Sequence, residues 1–297
     1  MTNEIKDLRL AVLIDADNVP RNSMKAIMEE AAIYGTPTIK RIYGDWTSPN
    51  VGAWKSALLE NAVTPIQQYS YTTGKNSTDS AMIIDAMDIL YEGKTDGFCI
   101  VSSDSDFTRL AIRLREAGMK VIGMGEQKTP VAFRVACDRF IYIENIRAAQ
   151  QEREKAAQAP AQPVKKAEPK TAAKKTHKTK AEAHKTPEKP VPAPEAEAEP
   201  PAAEQQAVPA PRKAGKIPED TVLLIAASVS DLADEDGWAS MAELGNLLLK
   251  KQPDFDPRNF GFAKLTPLIR SLSRFEIDAR VIDATKTRHI YLRDQEA

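Results

Sequence analysis

The chain has 297 residues, enough for two ordinary domains with a buried core in each. Its formal net charge of -1 does not advertise a nucleic-acid binder, so any such surface has to be local. Two cysteines and three histidines, two of the latter in a compositionally biased segment, supply no Cys/His zinc framework.

Cys99 in FCIV and Cys137 in VACDRF sit in apolar surroundings and read as buried reduced thiols. The N-terminus lacks a basic region followed by an apolar one. No apolar run approaches the ~20 residues of a membrane span, so a soluble, cytoplasmic protein is expected.

From residue 9 to 147 short apolar, β-branched runs alternate with helical periodicity. LAVLI is followed by a helix near 22–34, TIKRIY by a helix near 50–61, and VTPIQQ by a long helix near 78–91. FCIVSS, a helix near 106–117, KVIGMG, a short helix near 130–137 and FIYIE complete the series. The alternation predicts a doubly wound α/β domain on a mostly parallel sheet, residues 1–147.

Residues 148–216 are Ala, Pro, Lys and Glu without aromatic or β-branched periodicity, which predicts a disordered linker with a helical overhang through 150–158. A flexible coil of roughly 65 residues has an r.m.s. span of about 45 Å and would tether without fixing geometry. Its lysine-rich part, 165–189, reads equally well as weak phosphate contact or as a solubilising spacer. Beyond 217 the runs VLLIAASVSDLA, MAELGNLLLK and FAKLTPLIRSL, then FEIDARVID and RHIYLRD, predict three helices and a β-hairpin. These make a small winged-helix-like α+β domain over 217–297.

Two acidic clusters close apolar strands: Asp15-Ala16-Asp17-Asn18 after LAVLI and Ser103-Asp104-Ser105-Asp106 after FCIVS. In a doubly wound sheet ligands bind at the carboxyl ends of the strands where the order reverses, so Asp15 and Asp104 converge if these are the two strands. Carboxylates held a few Å apart repel unless a cation lies between them, and oxygen-only ligands fit Mg²⁺ or Mn²⁺. Asp17, Ser103 and Ser105 read equally well as turn or capping residues.

KNSTDSAMIIDAMDIL brings further acids. Asp79 lies in a first helical turn, where capping alone could explain it, and is read as a ligand. Asp85 and Asp88 interrupt an apolar stretch and need partners if buried. Asp85 lies about 120° around the helix from Asp79, so it is read as a ligand or as a partner of one. Lys75 in the preceding loop could meet phosphate.

The blocks DADN, KNSTD, IIDAMDILY, IVSSDSDF and GEQKTP occur in this order at domain-scale spacing. Over residues 8–146 the chain resembles an NYN domain of the LabA-like family, a branch of the PIN-like nucleases. The resemblance implies a metal-dependent RNase with its acidic site at Asp15, Asp79, Asp104 and Asp106 and Asn18 beside the first. A small residue, often Gly, precedes the last acidic pair in many such domains, whereas Ser103 stands here. DEDGWASMAELGNLLLK, DFDPRNFGFAKLTPLI and the closing hairpin resemble an OST-HTH/LOTUS domain, which implies RNA or protein binding. Arg258, Asn259, Lys264, Arg270 and Arg274 are its candidate polar face, Arg258 and Lys264 foremost, against the commoner role of a solvated helix face.

The expected chemistry is hydrolysis of RNA phosphodiesters by carboxylate-held Mg²⁺ or Mn²⁺. Trp46, Tyr69 and Tyr71 fall in loops at the same sheet edge and could stack unpaired bases, although core packing is the more frequent fate of a tryptophan. Two rivals remain open. LIDADNV also fits an Asp-x-Asp phosphohydrolase using Asp15 and Asp17, and an RNA-binding adaptor with an inert acidic site needs no chemistry at all.

Overall fold

The computed structural model describes residues 7–47, 54–69, 77–158, 217–282 and 287–296. Lys75, Tyr71 and most of the proposed linker lie outside the described residues.

The N-terminal sheet is built on β1 (Arg9–Asp15), whose every residue beyond Arg9 is buried. β1 pairs in parallel with β2 (Thr36–Gly44) on one side and β4 (Gly97–Val101) on the other. β3 (Thr64–Gln67) flanks β2, while β5 (Lys120–Gly125) and β6 (Arg139–Tyr142) extend the sheet beyond β4. The order β3-β2-β1-β4-β5-β6 is all parallel and reverses between β1 and β4.

Period-2 alternation sends β1 side chains to two cores. Leu10, Val12 and Ile14 pack with Met24 and Ile27 of α1 (Met24–Ala31), Leu58 of α2 (Lys55–Asn61) and Ile143 and Ile146 of α6 (Ile143–Gln158). Ala11 and Leu13 pack with Met82 and Ile89 of α3 (Ser77–Glu92), Leu110 and Leu114 of α4 (Thr108–Glu116) and Phe133 of α5 (Val131–Ala136). Burial on both faces explains why LAVLI and FCIV read as unbroken apolar runs. Both cysteines are buried free thiols. Gly125 closes β5, where an added Cβ would stand 2.5 Å from the Ser102 carbonyl oxygen, so the strand end fits against the loop after β4 only without a side chain.

The C-terminal region carries α7 (Glu219–Leu232), α8 (Met241–Lys251), α9 (Leu265–Ser271) and the hairpin β8 (Phe275–Ile282) and β9 (Thr287–Asp294). The three helices and hairpin are as the sequence predicts. The two-residue strand β7 (Ala239–Ser240), which joins β9 to give the antiparallel order β7-β9-β8, is too short to show periodicity. Ala239, Phe275 and Leu292 pack on Ile225, Leu244, Leu248 and Leu268. One expectation needs correction: this region is not merely tethered, because residues 253–259 contact β6, α1 and α6 directly. No helix among the described residues is long and apolar enough to cross a membrane.

Candidate active site

The order reversal places the end of β1 beside the end of β4, with Ile14 opposite Val101. Asp15 and Ser102, each the next residue along, therefore face one another. Ser102 Oγ donates to Asp15 Oδ2 at 2.8 Å and accepts the Asp104 backbone N–H at 3.1 Å, joining the two acidic loops through one hydroxyl. Asn18 Nδ2 donates to the same Asp15 oxygen at 2.7 Å, and the Asp17 N–H donates to Oδ1 at 3.0 Å. Burial raises the Asp15 pKa above the usual carboxylate value, opposed by these donors. Oδ2 is saturated by two donors, whereas Oδ1 keeps a lone pair.

Asp104 caps a 3-10 turn (Ser105–Phe107), accepting the Asp106 N–H on Oδ1 at 2.9 Å. That turn carries the Asp106 carboxylate back toward the crevice. Asp79, buried in the first turn of α3, arrives from the other direction. One carboxylate oxygen from each of Asp79, Asp104 and Asp106 lies within 4.8 Å of the others. Burial, then the charges of Asp15, Asp104, Asp106 and Asp17, push the Asp79 carboxyl up to about 6. Burial and like charge thus disfavour the ionised form of Asp79.

The converging trio includes Asp106, which the sequence reading put among the catalytic acids but not the ligands. Asp15 stands beside the trio rather than in it, and its charge is the first to act on Asp79. Asp85 goes elsewhere: it accepts from the buried Tyr43 hydroxyl and pairs with Arg41. Its role is to satisfy a phenol that has no water, and burial together with this carboxylate raises the Tyr43 pKa. Asp88 is exposed and needs no buried partner. The expected outcome for Asp85→Ala is therefore a loss of about 2 kcal/mol in denaturant unfolding, since a buried hydroxyl is orphaned, with divalent-cation affinity unchanged. Weakened cation binding at unaltered stability would restore Asp85 to the ligand set.

Ser102 escaped the sequence reading, which weighed only Ser103 and Ser105. Its signal is its place as the first residue after a buried strand at the order reversal. Ser103 accepts the Glu126 N–H at 2.9 Å and so ties the loop to the end of β5. Trp46 packs edge-to-face on Trp54 at 6.4 Å and donates to the Ile66 carbonyl at 2.8 Å, which makes it a packing residue on this edge, while Tyr69 is exposed.

In the C-terminal region Lys264 is exposed ahead of α9 and Arg270 is exposed on it. Arg274 is held by Asp294 and Glu296. Asn259 bonds to Asn145 and to the Asp254 carbonyl. Arg258, expected on an open polar face, has its guanidinium taken up by Glu30 and Asp256, and contact with RNA would require that grouping to open. A different face groups arginines with aromatic rings: Arg280 lies 4.8 Å from the Trp238 ring centroid and 4.7 Å from that of Tyr291, with Arg293 5.0 Å from Trp238, and the two arginines also pair with Asp278 and Glu276. Strand alternation puts Arg280, Tyr291 and Arg293 opposite the side that carries Leu292 into the core, so no helical pattern could reveal them.

A parallel sheet in this order, flanked by helices and with acids gathered at its reversal, defines a PIN-like α/β domain. Residues 9–144 match the family model of the NYN domain, and residues 218–286 match that of the OST-HTH/LOTUS domain. The chain thus carries an NYN domain at its N-terminal side and an OST-HTH/LOTUS domain at its C-terminal side; the match does not single out the LabA-like branch.

Among solved structures it is similar to a protein of unknown function from Vibrio parahaemolyticus. The identity is 18%, with 48% of this chain and 96% of that one covered, at a TM-score of 0.41. It is also similar to an uncharacterized protein from Nitrosomonas europaea, at 30% identity over 32% of this chain and 88% of that one, with a TM-score of 0.25. A comparison with curated proteins gives no match.

Proposed function

We propose that the protein is a metal-dependent ribonuclease that hydrolyses RNA phosphodiester bonds, with the OST-HTH/LOTUS domain contributing RNA affinity. The observation that carries this reading is the convergence of Asp79, Asp104 and Asp106 beside Asp15 at the order reversal of an NYN-domain sheet. The residues fit a hard divalent cation: the donors are all carboxylate oxygens, and burial together with the neighbouring carboxylates raises the Asp79 pKa. Mg²⁺ or Mn²⁺ bound there would polarise the scissile phosphate and lower the pKa of an attacking water.

Asp104 and Asp106 would hold the ion from one short turn, and Asp79 from the helix that crosses it. Asp15 is fixed by Ser102, Asn18 and the Asp17 N–H and adds its negative charge beside them. Ser102 would keep the two loops in register, so that ligand spacing does not change as charge develops.

An aspartyl-phosphate route fits this geometry less well, because the acids that converge are Asp79, Asp104 and Asp106, whereas Asp17, which that route needs beside Asp15, is exposed. The two routes differ in a single comparison. On labelled RNA, Asp15→Asn is expected to slow cleavage on the order of a hundredfold, and Asp17→Asn by no more than a few fold. Equal, near-total losses in the two variants, with turnover of a phosphomonoester by the parent, would favour the phosphohydrolase. The grouping of Trp238 and Tyr291 with Arg280 and Arg293 supports RNA contact by the C-terminal domain through its aromatic rings, since bases stack on aromatic faces without sequence preference, while both guanidinia are also paired with acids.

A further inference from the structure

β6 is one of the two edge strands of the N-terminal sheet. Its Phe140 N–H donates to the Pro253 carbonyl at 2.9 Å, so a strand edge that would face solvent is partly met by the loop after α8. Two residues on, the Tyr142 hydroxyl donates to Asp254 at 2.9 Å, and Arg134 of α5 pairs with the same carboxylate. From α6, Asn145 donates to Asn259 at 2.5 Å.

The most committed contact is charged. Arg258 binds Glu30 of α1 through both terminal nitrogens, at 2.8 and 3.1 Å, and also holds Asp256. Glu30 is 6% exposed and Asp256 4%, so two carboxylates are desolvated around one guanidinium. Removing one member of such a group leaves an unpaired buried charge, which makes the arrangement close to all-or-none. The contacts named at this junction are polar and charged.

We infer that residues 253–259 are a polar clamp that docks the OST-HTH/LOTUS domain on the β6, α1 and α6 face, so that RNA reaches the acidic crevice from one fixed side. The second half of this statement rests on the ribonuclease reading. β6 ends at the same sheet edge as β1 and lies three strands away, about 14 Å at ordinary strand spacing. A tether alone would instead let the domain wander over tens of Å.

The test is a distance distribution between spin labels on the full chain, one at Leu59 and one at Glu243, both exposed and each replaced by cysteine; Cys99 and Cys137 are buried. A single narrow distribution is expected in the parent. Glu30→Lys, which sets a cation against Arg258, should broaden it by tens of Å. Asp254→Ala, which strips the partner of Arg134 and Tyr142, carries the same expectation should Glu30→Lys not fold. Cleavage of RNA below saturation should then fall roughly tenfold and recover at saturating RNA. A broad distribution in the parent, or one left narrow by both variants, would overturn the clamp. An undiminished rate in variants whose distribution has broadened would overturn the fixed presentation of RNA. Absence of any RNA cleavage by the parent would count against the ribonuclease reading alone, because the distances report docking without reference to chemistry.

Discussion

Asp104→Asn is expected to reduce RNA cleavage on the order of a thousandfold while leaving the unfolding midpoint unchanged or slightly raised. The side chain keeps its size and can still accept the Asp106 N–H that closes the 3-10 turn, so the local backbone has no reason to move. What is lost is one negative charge and one ligand oxygen from a group of three whose oxygens lie within 4.8 Å. Removing charge from a crowded acidic cluster relieves repulsion in the metal-free protein, hence the slight gain in stability. Single-turnover cleavage with the RNA in excess of its binding constant, together with a denaturation curve, checks both halves. A folded variant that cleaves at the parent rate would remove Asp104 from the site.

The second large effect is linkage between protons, divalent cations and stability. The Asp79 carboxyl is raised to about 6 by burial and by its acidic neighbours, whereas in the unfolded chain it returns to the usual carboxylate value. The folded state therefore holds a proton that the unfolded chain has already released. The stability due to this group is greatest at low pH and is lost as pH rises through about 6. A cation bound among Asp79, Asp104 and Asp106 takes over the role of that proton. Mn²⁺ or Mg²⁺ should thus raise the melting temperature strongly at pH 7 to 8 and little at pH 5, and the stabilisation should vanish in Asp104→Asn. A metal-induced shift of equal size at pH 5 and pH 8 would show that the ion binds elsewhere.

Much of the N-terminal fold was legible because its central strands β1 and β4 are buried on both faces and its helices begin and end at changes of period. The alternation that predicts β1 and β4 also predicts where their C-terminal ends meet, and so Asp15 and Asp104 could be paired across 89 residues of sequence. Asp79 followed from its place in the first turn of a helix, and Asp106 from the ordered blocks that resemble NYN domains. The errors have a common cause. Asp85 looked like part of the metal site because a carboxylate on an apolar helix demands a partner, yet the partner is Tyr43, which lies on β2 and is invisible at helical spacing. Ser102 was overlooked because a serine after a strand is commonplace until its neighbour strand is known. Arg258 looked like a solvated cation because Glu30 lies 228 residues away in the chain. In each case the deciding contact is long-range, and sequence period carries no information about it.

The central claim is that the clustered acids do metal-dependent work on RNA. Its most direct test is to incubate the purified full chain with end-labelled single-stranded RNA, structured RNA and single-stranded DNA, each with Mg²⁺, Mn²⁺ or EDTA. Cleavage of RNA is expected with either cation, none in EDTA, and recovery when the cation is restored. RNA left intact under every cation by a folded protein that binds it would contradict the account and leave an RNA-binding adaptor in its place.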